Sequence, residues 1–276
     1  MTYQINYAYT CHTGRVRPNN EDNFWCCGSQ MPVEHQGMQT IFTGSISRFD
    51  SPVFAVFDGM GGESCGEIAS GIAAEECGRQ YEKNKKKIKK DPEDFIRNAV
   101  SAMNTAVCRY EEENKIHSMG TTMAMAVFGN RAIHLCNLGD SRIYYLHNGQ
   151  IHQLSTDHVM GGNLFGKAPL TQYLGIPETA MALEVLPVEN DYCGADRYLL
   201  CTDGMTDMLT DAEIAGILTR ESAVEETVQI LLEESLQKGG RDNVTIILCE
   251  VREQETKNPV LEWVKRHRKE RQEEDT

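Results

Sequence analysis

TTMAMAVFG at 121–129, RAIHLCNLG at 131–139 and RIYYLHNGQIHQL at 142–154 decide the fold. Each run is rich in aliphatic, aromatic and β-branched residues, and each meets a turn signal: Gly129-Asn130, Gly139-Asp140 and Asn148-Gly149. Asn-Gly favours a tight hairpin because both residues accept positive φ. Connections this short force antiparallel pairing, since a parallel crossover needs about a dozen residues or more. Consecutive antiparallel strands are therefore expected through the middle of the chain.

Upstream, VFAVF (53–57) reads as a buried strand that ends at Asp58 in a glycine loop, DGMGG. Ser64 with Glu67 resembles a capping box, and Ile68, Ile72, Ala73 and Cys77 follow on one helical face. The lysine run Lys83 to Lys90 interrupts that pattern. Asp91-Pro92 then starts a second helix with Phe95, Ile96, Ala99, Val100, Met103 and Val107 as its buried stripe. Downstream, a glycine-rich stretch (161–166) precedes RYLLCT, a strand running into Asp203-Gly204. Two helices should follow, capped by Thr210 with Glu213 and by Ser222 with Glu225. The last strand, Val244 to Val251, is apolar on both faces and is expected to be central. With no repeat and no Pro/Gly/Ser-rich linker, residues 1–251 read as one domain of antiparallel sheets with helices outside. Residues 252–276 read as a charged tail, a surface helix that frays, with Val260, Leu261, Trp263 and Val264 as its anchor.

The totals narrow the functions. A net charge of −14 over 276 residues argues against a nucleic-acid binder, which needs a basic face. No run approaches the roughly 18 apolar residues of a membrane helix, and Met1 to Thr13 lacks the layout of a signal peptide. The ten cysteines form no CxxC pair, and Cys136, Cys201 and Cys249 sit inside apolar runs, so a reduced, intracellular protein is expected.

The informative residues are the aspartates. Asp58 terminates VFAVF, Asp140 follows HLCNLG, Asp203 terminates YLLCT, and Asp242 precedes the last strand. A single Asp-Gly is ordinary turn chemistry, and DGMGG lacks the lysine of a phosphate-binding loop. Jointly, strand ends that share a core would gather four carboxylates. Such a cluster is unfavourable unless cations occupy it. Oxygen ligands select Mg²⁺ or Mn²⁺, and neither HExxH nor paired CxxC competes for zinc.

RPNNEDN (17–23), VFDGMGG (56–62), MGTTMAMAV (119–127), NLGDSRIYYL (137–146), STDHV (155–159), LTQYLG (170–175), LLCTDGMTDML (199–209) and GGRDNVTIIL (239–248) together resemble the metal-dependent protein phosphatases of the PPM, or 2C, type, the bacterial branch in particular. The resemblance implies an α+β fold: a central β-sandwich of two antiparallel sheets flanked by α-helices, four layers in the order αββα. It implies hydrolysis of phosphoserine and phosphothreonine in proteins by a water or hydroxide bridging two Mn²⁺ or Mg²⁺ ions. Asp58 would bridge the ions, with Gly59 contributing its backbone carbonyl; Asp203 and Asp242 would hold one ion, and Glu21 would support the other through water. Asp22 would stand behind them, orienting a ligand or water, and Arg17 would bind the substrate phosphate. Asp140 and Asp207 match positions of a third ion. The implied partners are phosphorylated proteins, among them a serine/threonine kinase and its targets, for a cytoplasmic monomer. Two alternatives stand beside this: a catalytically silent phosphoprotein-binding module, and a two-metal phosphoesterase acting on small molecules.

Two departures from the family pattern bear on mechanism. Where many eukaryotic relatives carry a histidine proposed as general acid, this chain has Met60, and His158 reads as an exposed loop residue. The flap between Asp157 and Leu170 is short and glycine-rich, which should leave the site more open.

Overall fold

The computed structural model describes residues 2–61, 65–116, 118–130, 132–161 and 168–254. Its strands are β1 (Thr2–His12), β2 (Asp22–Cys26), β3 (Phe42–Ser47), β4 (Val53–Gly61), β5 (Met119–Thr121), β6 (Met123–Phe128), β7 (Ala132–Leu138), β8 (Arg142–His147), β9 (Gln150–Gln153), β10 (Val188–Asp191), β11 (Arg197–Cys201) and β12 (Val244–Gln254). Its helices are α1 (Gly66–Ile88), α2 (Pro92–Asn114), α3 (Asp203–Thr206), α4 (Asp211–Leu218) and α5 (Val224–Gln237). One sheet runs β3-β1-β12-β11-β8-β9; the other runs β10-β7-β6-β4-β2, with β5 paired to β4. Every pairing is antiparallel, and β12 is central as expected. Asn148 (φ 48°) and Gly149 (φ 77°) make the β8–β9 hairpin with both residues left-handed.

The alternation of side chains along each strand explains the layering. Met123, Met125 and Val127 face one way and pack with Val53, Ala55 and Phe57 under α1 and α2. Ala124, Ala126 and Phe128 face the other way and meet Phe54, Val56, Ile247 and Cys249 between the sheets. Ile246 and Leu248 point outward beneath α4 and α5. Both faces of these strands are buried, so the runs read as continuously apolar. The result is a four-layer αββα sandwich. The α2 stripe from Phe95 to Val107 is buried as its period predicts, and Asp91 caps Asp94 N–H at 2.9 Å with Pro92 in the first turn.

Several local readings are corrected. Strand β4 does not stop at Asp58 but continues to Gly61, because Gly59, Met60 and Gly61 pair with β5. The lysine run does not break α1, which extends through it to the buried Ile88. The N-cap of α1 is Cys65, with no side-chain cap; Ser64 lies outside the described residues. The Thr210–Glu213 capping box is present, but the one drawn for Ser222 and Glu225 is not. Helix α5 is entered from Ala223, and the Ser222 hydroxyl instead pairs with Thr227 Oγ1 at 2.9 Å. Strand β12 runs through Gln254, beyond the boundary drawn at 251, because β1 offers partners as far as Thr2. The remainder of the charged tail, from 255 onward, lies outside the described residues, as do 162–167 of the flap.

Candidate metal centre

Strand pairing and the sandwich bring the scattered acids to one end of the molecule. A cleft of about 320 Å³ is lined by Glu21, Asp58, Asp140, Asp203 and Asp242, with Gly59 and Met60 beside them. Among the described residues lining it, Arg17 is the one base. Asp58 comes from β4, Asp140 from the β7–β8 turn, Asp203 from the first turn of α3, and Asp242 from the step into β12. Asp203 opens a short helix directly after its strand, and Thr202 precedes it as the N-cap.

Close backbone contact fixes the spacing. A side chain on Gly59 would fall on the carbonyl oxygens of Gly66 and Glu21, and one on Gly66 would strike Gly59 and the Glu21 carboxyl. A side chain on Gly204 would fall on the Asn243 carbonyl oxygen. Gly59 and Gly204 follow the two aspartates because chain must pass against chain there, not because φ is positive. The Gly59 N–H donates to the Glu21 carbonyl at 3.0 Å, tying the N-terminal loop to β4.

Residues beside the acids, not assigned to the site from the sequence, do much of the positioning. Asn243 accepts from Glu21 N–H at 2.8 Å and donates to the carbonyls of Thr13 and Asn19 at 2.8 and 2.9 Å. It thereby locks the loop carrying Arg17 and Glu21 onto the residue next to Asp242. The Asp58 peptide is held on both sides: its N–H donates to Thr122 Oγ1 at 3.0 Å, and its carbonyl accepts from Thr121 Oγ1 at 2.9 Å. His158 is half-buried, not an exposed loop residue. Its Nδ1 accepts from Gly139 N–H at 3.2 Å and its own N–H donates to the Gly139 carbonyl at 3.0 Å. Arg142 grips Asp157 with Nη2 at 2.7 Å, so the STDHV segment braces the turn that presents Asp140. The signal for these roles was present as neighbours of the aspartates; the partners, distant in sequence, were not visible.

Asp22 does not line the cleft. It is buried opposite Asp58 in the β2–β4 register, and its Oδ2 accepts from Thr202 Oγ1 at 2.8 Å and Thr245 Oγ1 at 2.7 Å. Thr245 lies on β12 of the other sheet and Thr202 directly follows its β11, so Asp22 fastens the two sheets together directly behind the acids. Burial pushes its pKa up, the threonine bonds oppose this, and Asp203 and Asp242 add to the rise. Asp207 is exposed at the C-cap of α3 and is not among the residues lining the cleft; its N–H donates to the Asp203 carbonyl at 2.7 Å.

The electrostatics ask for cations. Burial and the neighbouring Glu67 push Glu21 upward, only partly offset by Arg17. Burial would lower the Arg17 pKa, but Asp242, Glu21 and Asp58 outweigh it and hold the guanidinium charged. Arg17 Nη2 donates to Asp242 Oδ2 at 2.7 Å. One arginine against five carboxylates leaves a large excess of negative charge in a confined space. Glu67, whose buried Oε2 finds no hydrogen-bond donor among the described residues, adds negative charge beside Glu21. An all-oxygen donor set with this deficit of positive charge fits Mn²⁺ or Mg²⁺. The flap enters through Ala168, Pro169 and Leu170, and its base is closed by Met160 N–H to Pro169 O at 2.9 Å.

Known proteins resemble this chain over most of its length. The family model described as protein phosphatase 2C matches residues 44–241, which include Asp58, Asp140 and Asp203 and leave Arg17, Glu21 and Asp242 outside the matched span. The serine/threonine phosphatase stp of Listeria welshimeri is 27% identical over 252 residues, covering 86% of this chain and 92% of that protein. The serine/threonine protein phosphatase PstP of Mycobacterium tuberculosis is 30% identical over 264 residues, covering 91% of this chain and 46% of that protein. The solved catalytic domain of PstP in complex with two manganese ions superposes with a TM-score of 0.73 at 28% identity, covering 91% of this chain and all of that one.

Proposed function

The chain belongs to the protein phosphatase 2C family, and from that premise we propose that it removes phosphate from phosphoserine and phosphothreonine in proteins, with two Mn²⁺ or Mg²⁺ ions as cofactors. The observation that carries this reading is the convergence of Glu21, Asp58, Asp140, Asp203 and Asp242 around one cleft from five separate parts of the sequence. When bound, two such ions polarise the phosphoryl oxygens and supply an activated water.

The residues divide the remaining work. Asp58, with the Gly59 carbonyl beside it, would serve both ions; Asp203 and Asp242 would hold one, and Glu21 would support the other. Asp140 would serve a third, weaker position, which Asp207, exposed one helical turn beyond Asp203 and outside the cleft lining, would join only by turning inward. Asp22 keeps the sheets in register behind the acids. Arg17 receives the substrate phosphate, matching two oxygens with one guanidinium fork. In the structure Asp242 holds that fork, so phosphate and Asp242 compete for Arg17, and neutralising Asp242 releases it.

Met60 lines the cleft where a proton donor would stand and cannot donate. His158 is not among the residues lining the cleft; its Nδ1 accepts from the Gly139 N–H and it braces the Asp140 turn. With no imidazole among the described residues lining the cleft, water there would supply the proton to the leaving oxygen.

The protein acts opposite a serine/threonine kinase on shared targets, as a monomer in the cytoplasm. Support for the compartment comes from the cysteines, which form no disulfide among the described residues. The deciding experiment is turnover of a phosphothreonine peptide with Mn²⁺, with and without chelator. Turnover that chelator abolishes and Mn²⁺ restores is the expected result; turnover indifferent to chelator would refute the reading.

A further inference from the structure

The lysine run of α1 has no place in the acid cleft, and it builds a second one. A cleft of about 610 Å³ opens under the C-terminal end of α1, floored by Cys27, Ile46 and Tyr81. Its wall carries Lys85, Lys86, Lys89 and Lys90. Helical spacing explains the placement. Gly78 lets α1 lie flat on Trp25, and Tyr81, next on the same stripe, sits with its ring 6.1 Å from Trp25. Lys85 and Lys89 continue that stripe at intervals of four. The face of α1 that packs on the sheet thus turns basic once it passes the sheet edge. Lys83 and Lys87 leave on another face and line a different, smaller hollow.

The occupant follows from charge. Four lysines stand together on a chain of net charge −14, so this is a positive spot in a negative field. Asp50 and Glu82 also border the cleft, and Lys85 pairs with Glu82 at 2.7 Å while lying over the Tyr81 ring at 5.0 Å. A lone small anion gains little against those internal carboxylates. A chain with several acidic side chains and one apolar residue for the Tyr81–Ile46 floor satisfies walls and floor together. The concave shape and the acidic surroundings disfavour a lipid surface, which is flat and anionic itself.

Resting on the phosphatase reading above, we propose that this cleft docks an acidic segment, bearing one apolar side chain, of the phosphoprotein substrate. Helix α1 begins against Gly59 and Glu21 and runs 23 residues to the lysines, about 34 Å at 1.5 Å per residue. A substrate long enough to span that distance engages both clefts, and the second contact raises the effective concentration of its phosphate at the first.

The test uses two phosphothreonine peptides, one short and one extended by a Glu/Asp segment with a single Phe, long enough to reach about 34 Å. With Mn²⁺, the extended peptide should have a KM at least about tenfold lower. Lys85→Gln/Lys86→Gln/Lys89→Gln should erase that advantage and leave the short peptide unchanged, and the corresponding Lys→Arg triple should restore it. Anisotropy of a fluorescein-labelled Glu/Asp/Phe peptide without phosphate should show binding that the glutamine triple loses and that added salt weakens. Equal KM for the two peptides, or equal anisotropy for wild type and the glutamine triple, overturns the proposal. So does lysine-dependent sedimentation with phosphatidylserine vesicles in place of peptide binding. Failure to turn over either peptide would instead strike the phosphatase reading, while anisotropy still reports on the cleft.

Discussion

At its N-terminal end α1 presses Gly66 against Gly59 and the Glu21 carboxyl, whereas at its C-terminal end it holds Lys85, Lys86 and Lys89 over an open hollow. The first end is acidic and assembled from distant strands, with glycines where any side chain would collide. The second is basic, built largely from one helix, and made of long side chains that are exposed. Precision is therefore concentrated at the acid end. A cation site tolerates errors of only a few tenths of an ångström, and backbone contact supplies that accuracy. A docking surface for a flexible acidic chain needs charge density and little else, which exposed lysines provide.

The contrast can be broken most sharply at Asp58. Asp58→Asn removes the charge assigned to both ions, and kcat on a phosphothreonine peptide should fall at least about a thousandfold, with the lysine cleft still binding acidic peptide by anisotropy. Retained turnover would break the acid half of the comparison. Next in size is Gly204→Ala, whose Cβ would meet the Asn243 carbonyl. Backbone has to move, and thermal denaturation should show a loss of about 2–3 kcal/mol together with weaker Mn²⁺ affinity.

Asn243→Ala should follow closely. It frees the loop bearing Arg17 and Glu21 and strips partners from Glu21 N–H and two carbonyls. A loss of about 2 kcal/mol in chemical denaturation is expected, and a Mn²⁺ titration should show weakened affinity. Arg17→Ala should raise KM about tenfold with kcat little changed, since phosphate binding is common to ground and transition states. If kcat falls instead and KM holds, Arg17 acts on the transition state alone. The smallest effect belongs to the basic end: the Lys85/Lys86/Lys89 glutamine triple should leave a short peptide's kcat/KM within about twofold, because exposed charges contribute little to the fold.

What the sequence disclosed followed the same division. Strand runs such as 123–128 and 244–251, the Asn148-Gly149 hairpin and the α2 stripe were legible because their periods are local. The aspartates were legible as strand-end acids that a shared core would gather, and the resemblance supplied their separate roles. The pairing of Asp22 with Thr202 and Thr245 was not, because it joins residues far apart in the chain across two sheets. Asn243 looked like one polar residue before a strand, and its three bonds exist only once the N-terminal loop lies against it. The end of β4 was misread because Gly59 and Gly61 suggest a turn, while β5, a partner some sixty residues on, keeps them extended. The lysine run was misread because six like charges in eight residues suggest a break, whereas Ile88 and the packing of Tyr81 carry the helix through it.

The claim under everything else is that these carboxylates cage divalent cations. The direct measurement is anomalous diffraction from crystals soaked in Mn²⁺. Two strong peaks flanking Asp58, one of them shared with Asp203 and Asp242, are the predicted result. Peaks elsewhere, or none within ligand distance of Asp58, would contradict the account.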